Sequence, residues 1–187
     1  MLVIEKKKSL RQYELLEKLY LCKSSDVTRD HMNGVFYDRE KQCFVATDGR
    51  RMLIVWEKGL PGLIQEETTF FSINKQGSTF ILNNKQGAFF NYQRVIPDKS
   101  FLTEYPIELE IPKPKKDIYN EVSHISEVFF HIFTAIGQPF NYQWIIDLWG
   151  FNFTLSAHQE EGKMFILENS TMKFLGMPLI KPATTKD

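Results

Sequence analysis

The chain has 187 residues, of which 43% are hydrophobic and 14% aromatic, with 16 phenylalanines; 23 basic residues balance 23 acidic ones. That apolar content supplies a core for one large or two small domains and excludes a disordered chain. The charge balance excludes a free-standing nucleic-acid binder resting on surplus Lys and Arg, though it leaves room for a local basic face.

Leu2 to Glu5 is a short strand candidate. Ser9 then stands as an N-cap, with Gln12 three residues on to complete a capping box. Tyr13, Leu15, Leu16, Leu19, Tyr20 and Cys22 share one half of a helical wheel, and Arg11, Glu14, Glu17 and Lys18 share the other. This predicts an amphipathic helix ending near Lys23 to Ser25. Met32 to Asp38 alternates into a strand, and Arg39 to Gln42 form a turn. The centre of the chain is Phe44-Val45-Ala46-Thr47-Asp48-Gly49-Arg50-Arg51-Met52-Leu53-Ile54-Val55. Two β-branched apolar runs flank a polar turn, in which Gly supplies a positive φ and Asp bonds its own backbone.

Gly59 to Gly62 is a turn rich in breakers. Short strands are expected at Thr69 to Ile73, Thr79 to Asn83 and Ala88 to Tyr92, with turns at Asn74 to Gly77 and Asn84 to Gly87. Asp98 to Pro106 reads as a linker, Ile107 to Ile111 as a strand, and Pro112 to Lys116 as a basic breaker. Beyond Asp117 the pattern supports two readings. Ile118, Val122, Ile125 and Phe129 keep helical spacing, while Glu127 to Ile136 is β-branched and aromatic. A helix to about Ser126 followed by a strand is the favoured one. Asn141 as N-cap and Gly150 as stop bracket a helix. Strands follow at Asn152 to Ala157, Gly162 to Glu168 and Met172 to Leu179, before a polar tail from Ile180 to Asp187.

Four of these segments carry a resemblance. Asn33-Gly34 leading through a strand into Ala-Thr-Asp-Gly-Arg-Arg-Met resembles the hairpin of the middle domain of the bacterial β sliding clamp, the processivity subunit of DNA polymerase III. Phe89-Phe90-Asn91-Tyr92-Gln93-Arg94-Val95-Ile96-Pro97 is similar to the segment closing that domain, with Phe90 at a family Pro and Gln93 at a family Arg. Phe140-Asn141 through Trp149 resembles the opening of the last helix of the third domain, and Phe174-Leu175-Gly176-Met177-Pro178-Leu179 the end of a clamp chain. The match covers residues 30–100 well and 138–180 fairly. A helix of the middle domain is missing between Asn74 and Ser78, and nothing matches the clamp's first domain. The fold so implied is α+β and DNA-clamp-like. It has antiparallel sheets with helices packed on one face, in two domains, 1–103 and a reduced 104–187.

No enzymatic constellation is visible. His31, His124, His131 and His158 lack partners at zinc-like spacing, and there is no phosphate-cradling glycine loop or nucleophile motif. No metal or cofactor is expected. No apolar run reaches the about 18 residues of a membrane span, and Lys6 to Lys8 follow the first apolar stretch, the reverse of a secretory leader. Cys22 and Cys43 form no disulfide framework, so a cytoplasmic setting is expected.

The resemblance implies a peptide-docking cleft built from Met32, Thr47, Gly49, Arg50, Arg51, Met52, Arg94, Val95, Leu175 and Met177. Met and Leu would make a mouldable apolar floor, edged by Arg stems. The implied partner is a DNA polymerase or another replication or repair protein, bound through a linear motif. It also implies nonspecific duplex-DNA contact through Lys6, Lys7, Lys8, Arg11 and Lys18, and a homo-oligomeric ring. The rival expectation is a structural or regulatory interaction module that kept the fold and binds neither DNA nor the peptide.

Overall fold

The fold is that of a computed structural model, which describes residues 1–56, 69–112, 118–160 and 163–177. The turn expected at Gly59 to Gly62, most of the basic breaker after Pro112 and the tail from Ile180 lie outside those residues. The chain forms two compact units. One comprises residues 1–94 with 170–174, the other residues 95–169 with 175–187.

The first unit begins with β1 (Leu2–Glu5) and α1 (Leu10–Cys22), both as the sequence predicts. Ser9 occupies the N-cap, but its side chain makes no capping bond, so the expected capping box is not formed. β2 (Val35–Asp38), β3 (Cys43–Thr47) and β4 (Arg51–Val55) follow as a meander, and β5 (Phe70–Gln76) and β6 (Thr79–Asn84) as a hairpin. Only Gly77 and Ser78 separate β5 from β6, so no helix stands between them. The strand order is β1-β6-β5-β2-β3-β4. The ladders β1–β6, β6–β5, β5–β2, β2–β3 and β3–β4 are all antiparallel.

Helix α1 packs on this sheet through Leu15, Leu16 and Leu19, all fully buried, while the Tyr13 ring lies 4.8 Å from that of Phe80. Every residue of β3 and residues Met52 to Val55 of β4 are buried. Both faces of these strands are therefore covered, which is why their apolar runs are unbroken rather than alternating.

The third expected strand, Ala88 to Tyr92, does not form. Its partners would be β5 or β6, and both already have a strand on each side. Instead Phe89 stacks on Phe36 with ring centres 5.2 Å apart, and Tyr92–Val95 closes into a single 3-10 turn.

The second unit holds β7 (Leu102–Ile111), α2 (Ile118–Ile136), α3 (Gln143–Ile146), β8 (Phe151–His158) and β9 (Phe165–Glu168). The last strand, β10 (Met172–Gly176), begins among the residues of the first unit and ends among those of the second. β8 shows strict alternation, with Phe151, Phe153, Leu155 and Ala157 buried, as a half-covered antiparallel strand should.

Two expectations fail in this unit. Asp98 to Pro106 is not a linker: Asp98 caps a 3-10 turn at Lys99–Phe101, and β7 runs from Leu102 straight through Pro106. Proline is tolerated because β7 is an edge strand and its register against β8 shifts between Tyr105 and Glu108, where a missing N–H costs no ladder bond. Residues 127–136 are not a strand either, because α2 is one continuous helix. Val128, Ile132 and Ile136, four apart, are all buried, and α2 packs on β7 and β8. Burial of that stripe outweighs the weak β preference of the residues between. The N-cap of the short α3 is Tyr142 rather than the expected Asn141, whose Oδ1 accepts the Gln143 N–H from one residue earlier, and Gly150 ends the turn with φ +80°.

Candidate functional site

The hairpin between β3 and β4 is organised by Asp48. Its Oδ1 accepts the backbone N–H groups of Arg50 and Arg51 at 2.9 and 3.0 Å, and its Oδ2 accepts Arg51 Nε at 3.1 Å. Thr47 Oγ1 donates to the Arg51 carbonyl at 2.6 Å and accepts the Gly49 N–H at 3.0 Å. Gly49 takes φ +89°, a conformation that L side chains rarely adopt. The Thr-Asp-Gly string is thus a self-bonded turn. It holds the Arg50 side chain in solvent and keeps Arg51 half-buried, the Arg51 guanidinium also donating to the Leu21 carbonyl at the end of α1.

A loop after α1 wraps the back of this turn. The Ser24 N–H is shared between the carbonyls of Met32 and Thr47, at 3.1 and 3.0 Å. Arg29 Nη1 donates to the Asp48 carbonyl at 3.1 Å. The Met32 sulfur lies 3.5 Å from where a side chain on Gly49 would begin. Lys85 fastens the far end of the loop, donating to the carbonyls of Asp30 and Asn33 at 2.8 and 2.9 Å. Between α1, loop and turn lies a cavity of about 450 Å³ whose walls include Lys23, Ser24, Asp26, Arg29, Arg50 and Arg51. Burial, and the nearby Lys85 charge, lower the pKa of Lys23.

Six of the ten predicted docking residues, Met32, Thr47, Gly49, Arg50, Arg51 and Met52, therefore belong to one small region of the first unit. Thr47 and Met52 face each other across the β3–β4 ladder, and both are buried. Met32 is half-buried and Arg50 exposed. Arg94 belongs to the same unit and is exposed. The preceding Tyr92 hydroxyl donates to Asp38 Oδ2 at 2.6 Å and lies 3.6 Å from Cys43 Sγ, at the opposite end of β3 from Thr47. Val95, Leu175 and Met177 belong to the second unit; Val95 and Met177 are exposed and Leu175 is buried. Arg29 and Lys23 were not anticipated. The only hint is that Ser-Ser-Asp-Val-Thr-Arg follows a helix end, with Asp26 Oδ1 capping the Thr28 N–H in an Asx turn.

The basic set meets one correction. Lys6, Lys7, Lys8 and Arg11 are exposed, but Lys18 is only 2% exposed and Glu14 is buried beside it. Arg11 lies on the same helical line and donates to Thr171 Oγ1 at 3.2 Å. Lys18 is therefore covered by the fold rather than held in solvent, whereas Arg11 stays exposed. Among the described residues, no group of three His, Cys, Asp or Glu is placed to hold a metal, and no helix is long and apolar enough to cross a membrane.

No family model and no curated protein matches the sequence. Comparison with solved structures is decisive for the fold. The β subunit of DNA polymerase III from Borrelia burgdorferi matches 97% of this chain at a TM-score of 0.55 and 13% identity. The chain has the fold of the bacterial β sliding clamp. The clamps of Bacillus subtilis and Pseudomonas aeruginosa match 97% and 96% of it, each at a TM-score of 0.54 and 12% identity. This clamp-fold chain covers 65%, 64% and 66% of those three proteins. At such identity the side chains of the hairpin region have to be judged on their own chemistry.

Proposed function

We propose that this clamp-fold chain is a non-enzymatic protein of DNA replication or repair that docks a short linear peptide from a DNA polymerase or another replication protein. The observation that carries the reading is the Thr47–Met52 turn, self-bonded through Asp48 and backed by Met32, on a sliding-clamp fold. A rigid turn presents the same groups to every partner, and a Met thioether beside it adapts to different apolar anchors. The proposed docking set adds Arg94, Val95, Leu175 and Met177 to the six residues of the hairpin region. The B. burgdorferi clamp is itself in complex with a natural product, consistent with a fold that takes small ligands.

The test is a titration of the isotope-labelled protein with a clamp-binding peptide, followed by amide and methyl shifts. Saturable shifts at Met32, Gly49, Arg50 and Met177 are expected, and their absence at millimolar peptide would refute docking. Nonspecific DNA contact through Lys6, Lys7, Lys8 and Arg11 is the subordinate part of the proposal. It predicts weak binding that falls steeply with salt. A homo-oligomer is likewise proposed, and sedimentation velocity reads it directly.

A further inference from the structure

We propose that Lys23 and Arg50 form a carboxylate site in the cavity behind the Thr-Asp-Gly turn, which receives an acidic side chain of the docked peptide next to its apolar anchor. The source of the carboxylate rests on the docking reading above; the site itself rests on the charges around the cavity.

Four cationic side chains, Lys23, Arg29, Arg50 and Arg51, face this space of about 450 Å³ together with two carboxylates, Asp26 and Asp48. Both carboxylates are already occupied. Asp48 accepts two backbone N–H groups and Arg51 Nε. Asp26 accepts the N–H and hydroxyl of Thr28 on one oxygen, at 2.9 and 2.7 Å, and faces Arg29 Nε at 3.6 Å with the other. Two of the four cations are thereby neutralised, and two are not. Lys23 Nζ donates to neutral oxygens, the Ser24 carbonyl and Asn33 Oδ1, both at 3.3 Å, and lies 5.2 Å from the Tyr20 ring centre, but among the described residues it meets no carboxylate. Arg50 is exposed and lines the same space, and among the described residues no carboxylate meets it.

Lys23 is further crowded by the neighbouring Lys85 charge and by burial, which together disfavour its own charge. A half-buried cation in that condition gains from an incoming anion more than an exposed one does. A carboxylate fits better than a larger apolar group because the walls also offer the Ser24 and Ser25 side of the loop as polar neighbours. Placing the acid here leaves the Met32 side of the turn for the apolar anchor, so one extended peptide can use both.

Fluorescence anisotropy decides it with two peptides that differ only in an Asp beside the apolar anchor, replaced by Asn in the second. The wild-type protein is expected to bind the Asp peptide about fivefold more tightly at low salt, as partly exposed ion pairs allow. That preference is expected to vanish in Lys23→Gln with Arg50→Gln, the ratio of the two affinities being the readout whatever the variant's absolute affinity for the Asn peptide. Arg50→Gln alone, an exposed turn substitution, should halve the preference without touching the fold. Equal affinity of the wild-type protein for both peptides overturns the site, as does a preference that survives the double substitution. If neither peptide binds, the docking reading fails and a second arm still decides the site. N-acetyl-aspartate amide is titrated while the Arg50 and Lys23 side-chain resonances are followed. Saturable shifts at both support the carboxylate site, and none refutes it. Inorganic phosphate shifting them at much lower concentration than the carboxylate would overturn the proposed ligand class.

Discussion

Tyr92→Phe isolates one oxygen whose loss can be costed. The Tyr92 hydroxyl donates to Asp38 Oδ2 at 2.6 Å, and both residues are buried. Without it, that oxygen keeps the long contact to Gln93 Nε2 at 3.4 Å, Oδ1 keeps the Lys41 N–H at 3.0 Å, and the carboxylate keeps the Glu40 N–H. A hydrogen bond to a buried charged group contributes about 1.5–3 kcal/mol, and the vacated space is too small to repay it. For a chain of this length each kcal/mol moves the midpoint by about 2–4 °C, so thermal unfolding at pH 7 should fall by about 5 °C. The effect also has a pH signature. Burial by itself would raise the Asp38 pKa, but the bonds from Tyr92, Lys41, Glu40 and Gln93 together hold it below the ordinary carboxylate value. A carboxyl depressed in the folded state contributes stability that is fully present above its unfolded pKa and disappears as pH falls through the folded one. The gap between wild type and Tyr92→Phe should therefore be constant from pH 6 to 8 and close below about pH 4. Calorimetric or circular-dichroism melts across that range check both parts. A midpoint change under 1 °C at neutral pH, or a gap that persists in acid, would refute the view that this bond anchors the segment carrying Arg94.

Three further substitutions or reactions follow from the same geometry. Gly34→Ala places a Cβ 2.5 Å from the Phe71 carbonyl and 2.8 Å from the Phe70 ring, so it should lower stability by about 2 kcal/mol in urea melts. Gly49→Ala forces a left-handed residue with φ +89° and brings a Cβ to 3.1 Å from Arg29 Nη1; a loss of about 1–2 kcal/mol and weaker peptide binding are expected, read by the same melts and by anisotropy. Cys43 is buried and its thiol is pushed up to about 11, chiefly by that burial, so at pH 8 only about one part in a thousand is thiolate. Mass spectrometry should find Cys43 unmodified by iodoacetamide until the chain is unfolded.

Much of the fold and part of the site were legible because the signals are local. Alternation marked β8, the leucines spaced three and four apart marked α1, and Asp48-Gly49 marked a turn that bonds itself. None of these needs a distant residue. The same locality keeps six of the proposed docking residues in one region, since Thr47 to Met52 are one hairpin and Met32 lies one strand upstream.

What escaped the sequence was set by neighbours far along the chain. Pro106 reads as a breaker until β7 is known to be an edge strand with a register shift beside it. Residues 127–136 read as a strand until burial of Val128, Ile132 and Ile136 against β7 and β8 makes them helix. Lys18 reads as a solvent-facing cation until the folded chain leaves it only 2% exposed. Arg29 and Lys23 gain a role only when the loop after α1 folds behind the turn. Periodicity reports which side of an element is apolar, and turn chemistry reports where the chain reverses. Which polar side chains end up covered, and which cations lack a counter-charge, depends on what packs against that side, a nonlocal outcome that only the tertiary structure decides.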